Sequence, residues 1–544
     1  MAGFRTFLFS VLLLVLQNVK AQTWGDFRTE VDQYAQWLNL PTLAVGIARG
    51  DSLIFFHSIG SAATDTNVPI TPDHMFGIAS LTKSFTSVVM QELEEKGSFA
   101  LTDPVDKFPN KYFTKDRWTR QTTLAHILSQ TSESRPEGTN FIYNGGKYNV
   151  VFNAFAALNP PADTESMTRP FTKEVERGIL QPLKMTHTLV RYAESEHAAL
   201  KKYLVPSYRF DHIFQRFIVQ PMDITKMECG PGYGMMSSMA DLVKYSGGLD
   251  AAILISKQRY QKITGPFYPG SPYGLGWFTC NFEGIDLNWA YGYGNADAAL
   301  LLKVPSKNLT LILLSSCDIP SASTRLGYGN PLNSPLVCSF IRNFILPRSN
   351  SVQFVRNLKS IEEHILSQVK TSHSRIYIEA AFAGATVSLF SPMTTAVQKS
   401  EGLHLLKFLI KHFPADTIWQ SPTAFDLIAT LEDRAVSRFA ATISQALVRA
   451  GQPLHPATLF YAGVIQEKLQ HTAEAIKFFT RLAQGDAYDE QGYKFDALMK
   501  LARYFQTSNP TLSKQYLGNL MRYKEYINAQ DDQYKEAKAL MSKL

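Results

Sequence analysis

Phe76-Gly-Ile-Ala-Ser80-Leu-Thr-Lys83-Ser-Phe-Thr-Ser-Val-Val-Met-Gln-Glu-Leu-Glu-Glu-Lys-Gly97 is the stretch from which the rest of the chain is read. From Ser80 onward, Phe85, Val88, Val89 and Leu93 recur on one helical face while Glu92, Glu95 and Lys96 lie elsewhere. Gly97 stands where a helix C-terminal cap belongs. Ser80 and Lys83 are three residues apart, so both side chains share a face, one turn apart. A helix N-terminus offers unpaired N–H groups and a partial positive charge. A serine there with an amine one turn away has the parts of an activated nucleophile. The spacing alone is common, since serine is a preferred N-cap. Ser367-Gln-Val-Lys370 repeats it in a stretch that reads as a solvated helix face. The neighbourhood of the first copy therefore has to decide.

That neighbourhood is ordered. Pro41 to Gly60 reads as two strands around a Gly50-Asp51 turn. Val68-Pro-Ile-Thr-Pro-Asp73 and Phe76 precede the helix, and Leu101-Thr-Asp-Pro-Val-Asp-Lys-Phe-Pro109 follows it. The order resembles the serine β-lactamase-related family that groups class C β-lactamases, D-alanyl-D-alanine carboxypeptidases and related esterases, from Trp24 to Leu346. The class A partner motifs Ser-Asp-Asn and Lys-Thr-Gly are absent, so the class C-like branch fits better. The resemblance implies an α/β (α+β) β-lactamase/transpeptidase-like domain. Its antiparallel sheet would carry helices on both faces, with residues 25–39 as an N-terminal helix packed on it.

Further segments fall into the same register. Thr122 to Ser132 looks like the family's helix-and-turn, with Gln130 in place of the usual His and Glu133 in place of Gly; His126 reads as an ordinary packing histidine. In Phe141-Ile-Tyr143-Asn144-Gly145-Gly-Lys-Tyr148 the spacing of Tyr143 and Tyr148 matches the family, which implies that Tyr143 is the catalytic tyrosine. A phenol has an unperturbed pKa near ~10, and a neighbouring ammonium favours its phenolate. Gly145 holds the family's asparagine position, leaving Asn144, one residue early, as the candidate amide. Cys229 to Tyr245 reads as structural and as a wall of the cleft. Trp289-Ala-Tyr291-Gly292-Tyr293-Gly294-Asn295 resembles the third motif but has neither Lys nor His. Tyr291 and Tyr293 are there as hydrogen-bonding groups or as plain strand aromatics.

The implied chemistry is acyl transfer with hydrolysis: Ser80 attacks an ester, peptide-like amide or β-lactam carbonyl, and Lys83 and Tyr143 share the proton transfers. By resemblance, backbone N–H groups of Ser80 and of the strand near Asn295 would hold the oxyanion. No metal or organic cofactor is called for. The missing cation favours ester or peptide-like substrates over penicillin-like carboxylates. The rival reading is an eroded member of the same fold that serves as a binding or sensor module.

The chain has 544 residues, too many for one core, and its 45% hydrophobic and 19% charged residues are ordinary for globular protein. A net charge of +7, two of it from Arg5 and Lys20, gives no case for nucleic acid over this length. Arg5, the apolar run Phe7 to Leu16 and Val19-Lys20-Ala21 form a secretory signal pattern, 1–21. The run is about ten residues against ~20 for a spanning helix, so export to the periplasm or medium is expected, with no stable membrane span. Cys229, Cys280, Cys317 and Cys338 allow three disulfide pairings or four buried thiols. Residues 22–348 make the hydrolase-like domain. After the polar break Ile345 to Ser351, residues 352–544 read as all-helical, with Ala424 to Arg449 as one long segment. Leu459 to Leu482 resembles one tetratricopeptide repeat, with small Ala462, Gly463 and Ala475 and aromatic Phe479. The domain is then a repeat array or a plain bundle, and a protein partner is one role for it.

Overall fold

The computed structural model describes residues 24–108, 121–134, 136–160, 168–190, 198–220, 229–294, 296–346 and, from 362 onward, all but 364, 368–374, 452–453, 485–491 and 527–530. The signal segment, residues 347–351 of the interdomain break and Asn295 lie outside the described residues.

The strands are β1 (Thr42–Arg49), β2 (Ser52–Gly60), β3 (Phe278–Phe282), β4 (Ile285–Tyr293), β5 (Ala298–Val304) and β6 (Leu309–Ser315). They form one sheet in the order β2-β1-β6-β5-β4-β3, and each pair with a defined register is antiparallel. The expected hairpin turns at Gly50, whose φ is +58°. The chain then leaves the sheet for over 200 residues and returns as a meander, closing with Ala44 opposite Leu314.

Both faces of this sheet are covered. Leu309, Leu311 and Leu313 of β6 join a core with Phe27 and Val31 of the N-terminal helix, residues 24–37, and with Leu38 of the turn after it. Ile312 and Leu314 point the other way, into a core with Phe85, Val88 and Val89 of the serine helix. Two-sided cover is why β5 and β6, apart from Lys303, Thr310 and Ser315, read as near-continuous apolar runs rather than alternating ones. Each such buried side chain contributes about 1.5–3 kcal/mol.

The serine helix spans Thr82–Glu95, entered by a 3₁₀ turn at Ala79–Leu81 and ended at Lys96, with Gly97 at φ +74°. It is less one-sided than its sequence suggests, because Thr82, Ser84, Thr86, Ser87 and Gln91 are also buried. Local or distant carbonyls satisfy their hydroxyls; Thr86 donates to Pro231 O at 2.7 Å and Ser84 to Leu81 O at 2.8 Å. A small second sheet places Met236–Ser238 between Met75–Gly77 and Thr188–Leu189, and fastens the approach to Ser80.

From 362 onward the described residues form helices and no strand. The single segment expected over Ala424 to Arg449 is two helices, Pro422–Thr430 and Arg434–Arg449. Asp433 makes the break by accepting hydrogen bonds from Ala435 and Val436 N–H at 3.0 and 3.1 Å, which caps the second helix. Helices Pro456–Lys468 and Thr472–Gln484 pack as a pair in which Gly463 faces the Phe479 ring. Phe382, Phe425, Ile465 and Phe479 share one continuous core with the sheet. All four cysteines are unpaired thiols, and burial raises their pKa values. Among the described residues no helix is long and apolar enough to cross a membrane.

Candidate active site

Ser80 sits in the middle of the 3₁₀ turn, where first-turn N–H groups have no intrahelical acceptor. Ala79 just before it holds φ +41°, a left-handed backbone that an L-residue adopts only under constraint. The constraint is visible: Ile78 N–H donates to Met235 O at 3.0 Å, and Thr82 Oγ1 donates to Ala79 O at 2.6 Å.

Lys83 reaches back over this turn. Its Nζ donates to Ser80 Oγ at 2.9 Å and to Gly232 O at 2.7 Å, with the side chain only 2% exposed. The Gly232 carbonyl is itself held, since Gly232 N–H donates to Asn149 Oδ1 at 2.8 Å. The glycine-rich segment after Cys229 is therefore more than a wall; it presents a carbonyl to the lysine. Lys83 Nζ also lies 5.0 Å from the Tyr143 ring centroid and 5.4 Å from that of Tyr148, within cation–π range. Tyr148 donates its hydroxyl to Lys83 O at 3.1 Å, and burial raises its pKa well above the usual phenol value.

The Tyr143 loop is anchored by a residue that departs from the family pattern. Gln130, at φ +57°, accepts from Ile142 N–H at 2.8 Å through its backbone and from Asn144 N–H through its side chain. Glu133 makes an ion pair with Lys147 across the same loop. Asn144 is put to structural use: its Oδ1 caps the short helix Gly145–Tyr148 by accepting from Lys147 N–H at 3.0 Å. It is not among the residues lining the cavity described next. His126 closes a capping box with Thr123, as expected of a packing residue.

β4 runs beside the serine turn. At Gly292 a Cβ would lie 2.0 Å from Ile78 O, so only glycine allows this approach. Ser80, Tyr143, Tyr291 and Tyr293 then face a common cavity of about 420 Å³. Burial first, then the nearby Asp318 carboxylate, pushes Tyr293 above the ordinary phenol value. The same two causes push Asp297, at the start of the next strand, up to about 6. Sequence reasoning missed the far wall of this cavity, which includes Arg325, Asp426, His455, Tyr461 and Tyr493. No local signal marks these residues, which lie more than 240 positions from Ser80. Among the described residues no group of His, Cys, Asp and Glu could hold a metal ion.

Comparison with known proteins places the sheet-bearing part of the chain in a family. The chain is 23% identical over 274 residues to a beta-lactamase of Psychrobacter immobilis, covering 46% of this chain and 65% of that protein. It is 22% identical over 325 residues to Protein flp of Staphylococcus aureus strain COL, covering 53% and 62%. The chain thus spans less than two thirds of the length of these relatives. The octameric penicillin-binding protein homologue from Pyrococcus abyssi aligns at a TM-score of 0.50 and 19% identity, over 64% of this chain and 82% of that one, a likeness of fold. A family model described as Beta-lactamase matches residues 27–329, from the N-terminal helix through the serine turn, the Tyr143 loop and the whole sheet. With more than half its length in that match, the chain belongs to the beta-lactamase family.

Proposed function

We propose that this protein is a serine hydrolase that cleaves an ester or peptide-like amide through a Ser80 acyl-enzyme. The observation that carries the reading is the 2.9 Å contact between Lys83 Nζ and Ser80 Oγ at the edge of an open cavity. Ser80 Oγ attacks the carbonyl carbon while its proton passes to Lys83 or Tyr143. The carbonyl oxygen takes the electron pair, and the Ser80 N–H at the turn is suited to receive that charge. Collapse breaks the bond to the leaving group, which departs with the proton. Water then repeats the sequence: it loses a proton to the same pair, attacks the acyl carbon and releases Ser80 Oγ as the proton returns.

Esters and peptide-like amides are preferred because the motif on β4 offers tyrosines and no cation. Export follows, on this reading, from the signal pattern at 1–21, and residues 352–544 act as a helical domain that finishes the cleft. The test is covalent labelling of the purified protein by a fluorescent fluorophosphonate and, separately, a fluorescent penicillin. Fluorophosphonate labelling that disappears in Ser80→Ala supports the reading, and the penicillin lane reports whether β-lactams enter. A folded protein that neither reagent labels overturns it.

A further inference from the structure

The cavity beside Ser80 is closed on its far side by the segment around Arg325 together with the helical part of the chain, and that wall carries a charge pair. Arg325 Nε donates to Asp426 Oδ2 at 3.0 Å, and Nη1 donates to Ala322 O at 2.8 Å. The guanidinium lies 4.2 Å from the Phe390 ring centroid. Nη2 has no protein acceptor among the described residues, and the Arg325 side chain, 35% exposed, lines the cavity.

Asp426 is built into its place. It is 2% exposed and accepts a further hydrogen bond from the Tyr328 hydroxyl at 3.2 Å. Tyr328 and Tyr493 hydroxyls are 2.7 Å apart. His455 Nδ1 accepts from Ala457 N–H at 3.1 Å, which puts the ring proton on Nε2. Burial lowers His455 to about 4, so the ring is neutral at pH 7. The wall thus adds no net charge to the cavity: one cation, one anion, and otherwise phenols and a neutral imidazole.

We propose that this wall is a substrate subsite for uncharged groups, and that Asp426 sets its preference by cancelling the charge of Arg325. The proposal rests on the serine-hydrolase reading and names the substrate class for it. That class is a neutral ester or amide carrying a ring and a hydrogen-bond acceptor, without a carboxylate near the scissile bond. The acceptor takes the remaining Arg325 N–H, and the tyrosine rings take the apolar body. A carboxylate on the substrate meets an arginine already paired and an anion beside it. Charged hydrogen bonds outweigh neutral ones by a margin that corresponds to about tenfold or more in affinity.

The matched probes are phenylacetylglycine and phenylacetylglycinamide, which differ in one terminal group. Titration calorimetry on the full-length Ser80→Ala protein at pH 7 reads binding without turnover. The amide binds more tightly. Adding Asp426→Asn, which keeps shape and hydrogen bonding, shifts the acid-to-amide affinity ratio toward the acid by tenfold or more. Tighter binding of the acid by the Ser80→Ala protein, no binding of either probe, or a ratio unmoved by Asp426→Asn overturns the proposal. The first two outcomes need no change at Asp426, so they remain decisive should the double variant fail to fold. Fluorophosphonate labelling of the wild type reads the chemistry separately. Labelling without amide preference removes the subsite and keeps the hydrolase, whereas amide preference without labelling does the reverse.

Discussion

Replacing Gly292 by alanine puts a methyl carbon 2.0 Å from Ile78 O, 2.8 Å from Ile78 C and 3.2 Å from Ala79 Cβ. Two of the three obstacles are backbone atoms, so no side chain can swing aside. Relief requires β4 and the serine turn to separate by about 1 Å or more to restore van der Waals distance. β4 pairs with β5 from Asn288 to Tyr293, so the movement falls on the Ala79–Ser80 turn at least as much as on the strand. Overpacking of this kind costs about 1–3 kcal/mol of stability. A displacement of ~1 Å at a reacting group costs about 10²-fold in rate. The assay is the second-order rate of fluorophosphonate labelling, with denaturant unfolding in parallel. Gly294→Ala is the control, because its Cβ meets nothing nearer than Asp297 Oδ2 at 3.3 Å. Labelling at the wild-type rate with unchanged stability in Gly292→Ala would refute the seating of β4 against Ser80.

Lys83→Met removes the group 2.9 Å from Ser80 Oγ and leaves Gly232 O without its donor. Ester hydrolysis falls about 10²–10⁴-fold and stability by ~1–3 kcal/mol; activity within threefold of wild type removes Lys83 from the mechanism. Tyr143→Phe keeps the ring beside Lys83, so hydrolysis falls about 10²-fold with stability nearly unchanged, and an unaltered pH–rate profile would count against the phenol. Asp297 has its pKa raised from 3.8 to about 6, so the folded state holds the proton more tightly than the unfolded chain. Its contribution is full below about pH 4 and is lost as pH rises through about 6. Asp297→Asn therefore matches wild type near pH 4 and is more stable at pH 7.5, by up to about 2–3 kcal/mol; an equal gap at both pH values refutes this. In the helical part, Gly463→Ala brings a Cβ within 2.5 Å of Phe479 Cε1 and lowers stability by about 1–3 kcal/mol, measured by urea unfolding.

Much of the sheet domain was legible because its signals are local. The Ser80/Lys83 spacing, the apolar stripe of the helix, the Gly97 stop and the Gly50 turn each depend on residues within a turn or two of one another. The apolar run Leu309 to Ser315 has the pattern of a buried strand, and β6 is one. The helix Thr82–Glu95 is less one-sided than its apolar stripe because Thr86 and Ser87 are buried against the carbonyls of Pro231 and Leu275, contacts that no local pattern records. The long helix expected over Ala424 to Arg449 failed for the opposite reason. The periodicity runs on through Asp433, whereas its side chain caps a new start.

The site divides in the same way. The linear sequence by itself determined the family and which residues to examine, the Ser80/Lys83 spacing and the Tyr143/Tyr148 register, since each is a pattern of residue types at short, fixed spacing. Tertiary structure alone decided which carbonyl receives Lys83, which comes from a residue 149 positions downstream. It also decided that Asn144 serves as a helix cap, that Gln130 anchors the Tyr143 loop, and that β4 passes Ser80 only because Gly292 lacks a side chain. Above all it brought Arg325 and Asp426, 101 residues apart, into one ion pair on the cavity wall. A contact between distant segments leaves no periodicity in the chain. Its energy comes from burial and hydrogen bonds that exist only once the cores have formed, and a sequence read residue by residue carries no trace of it.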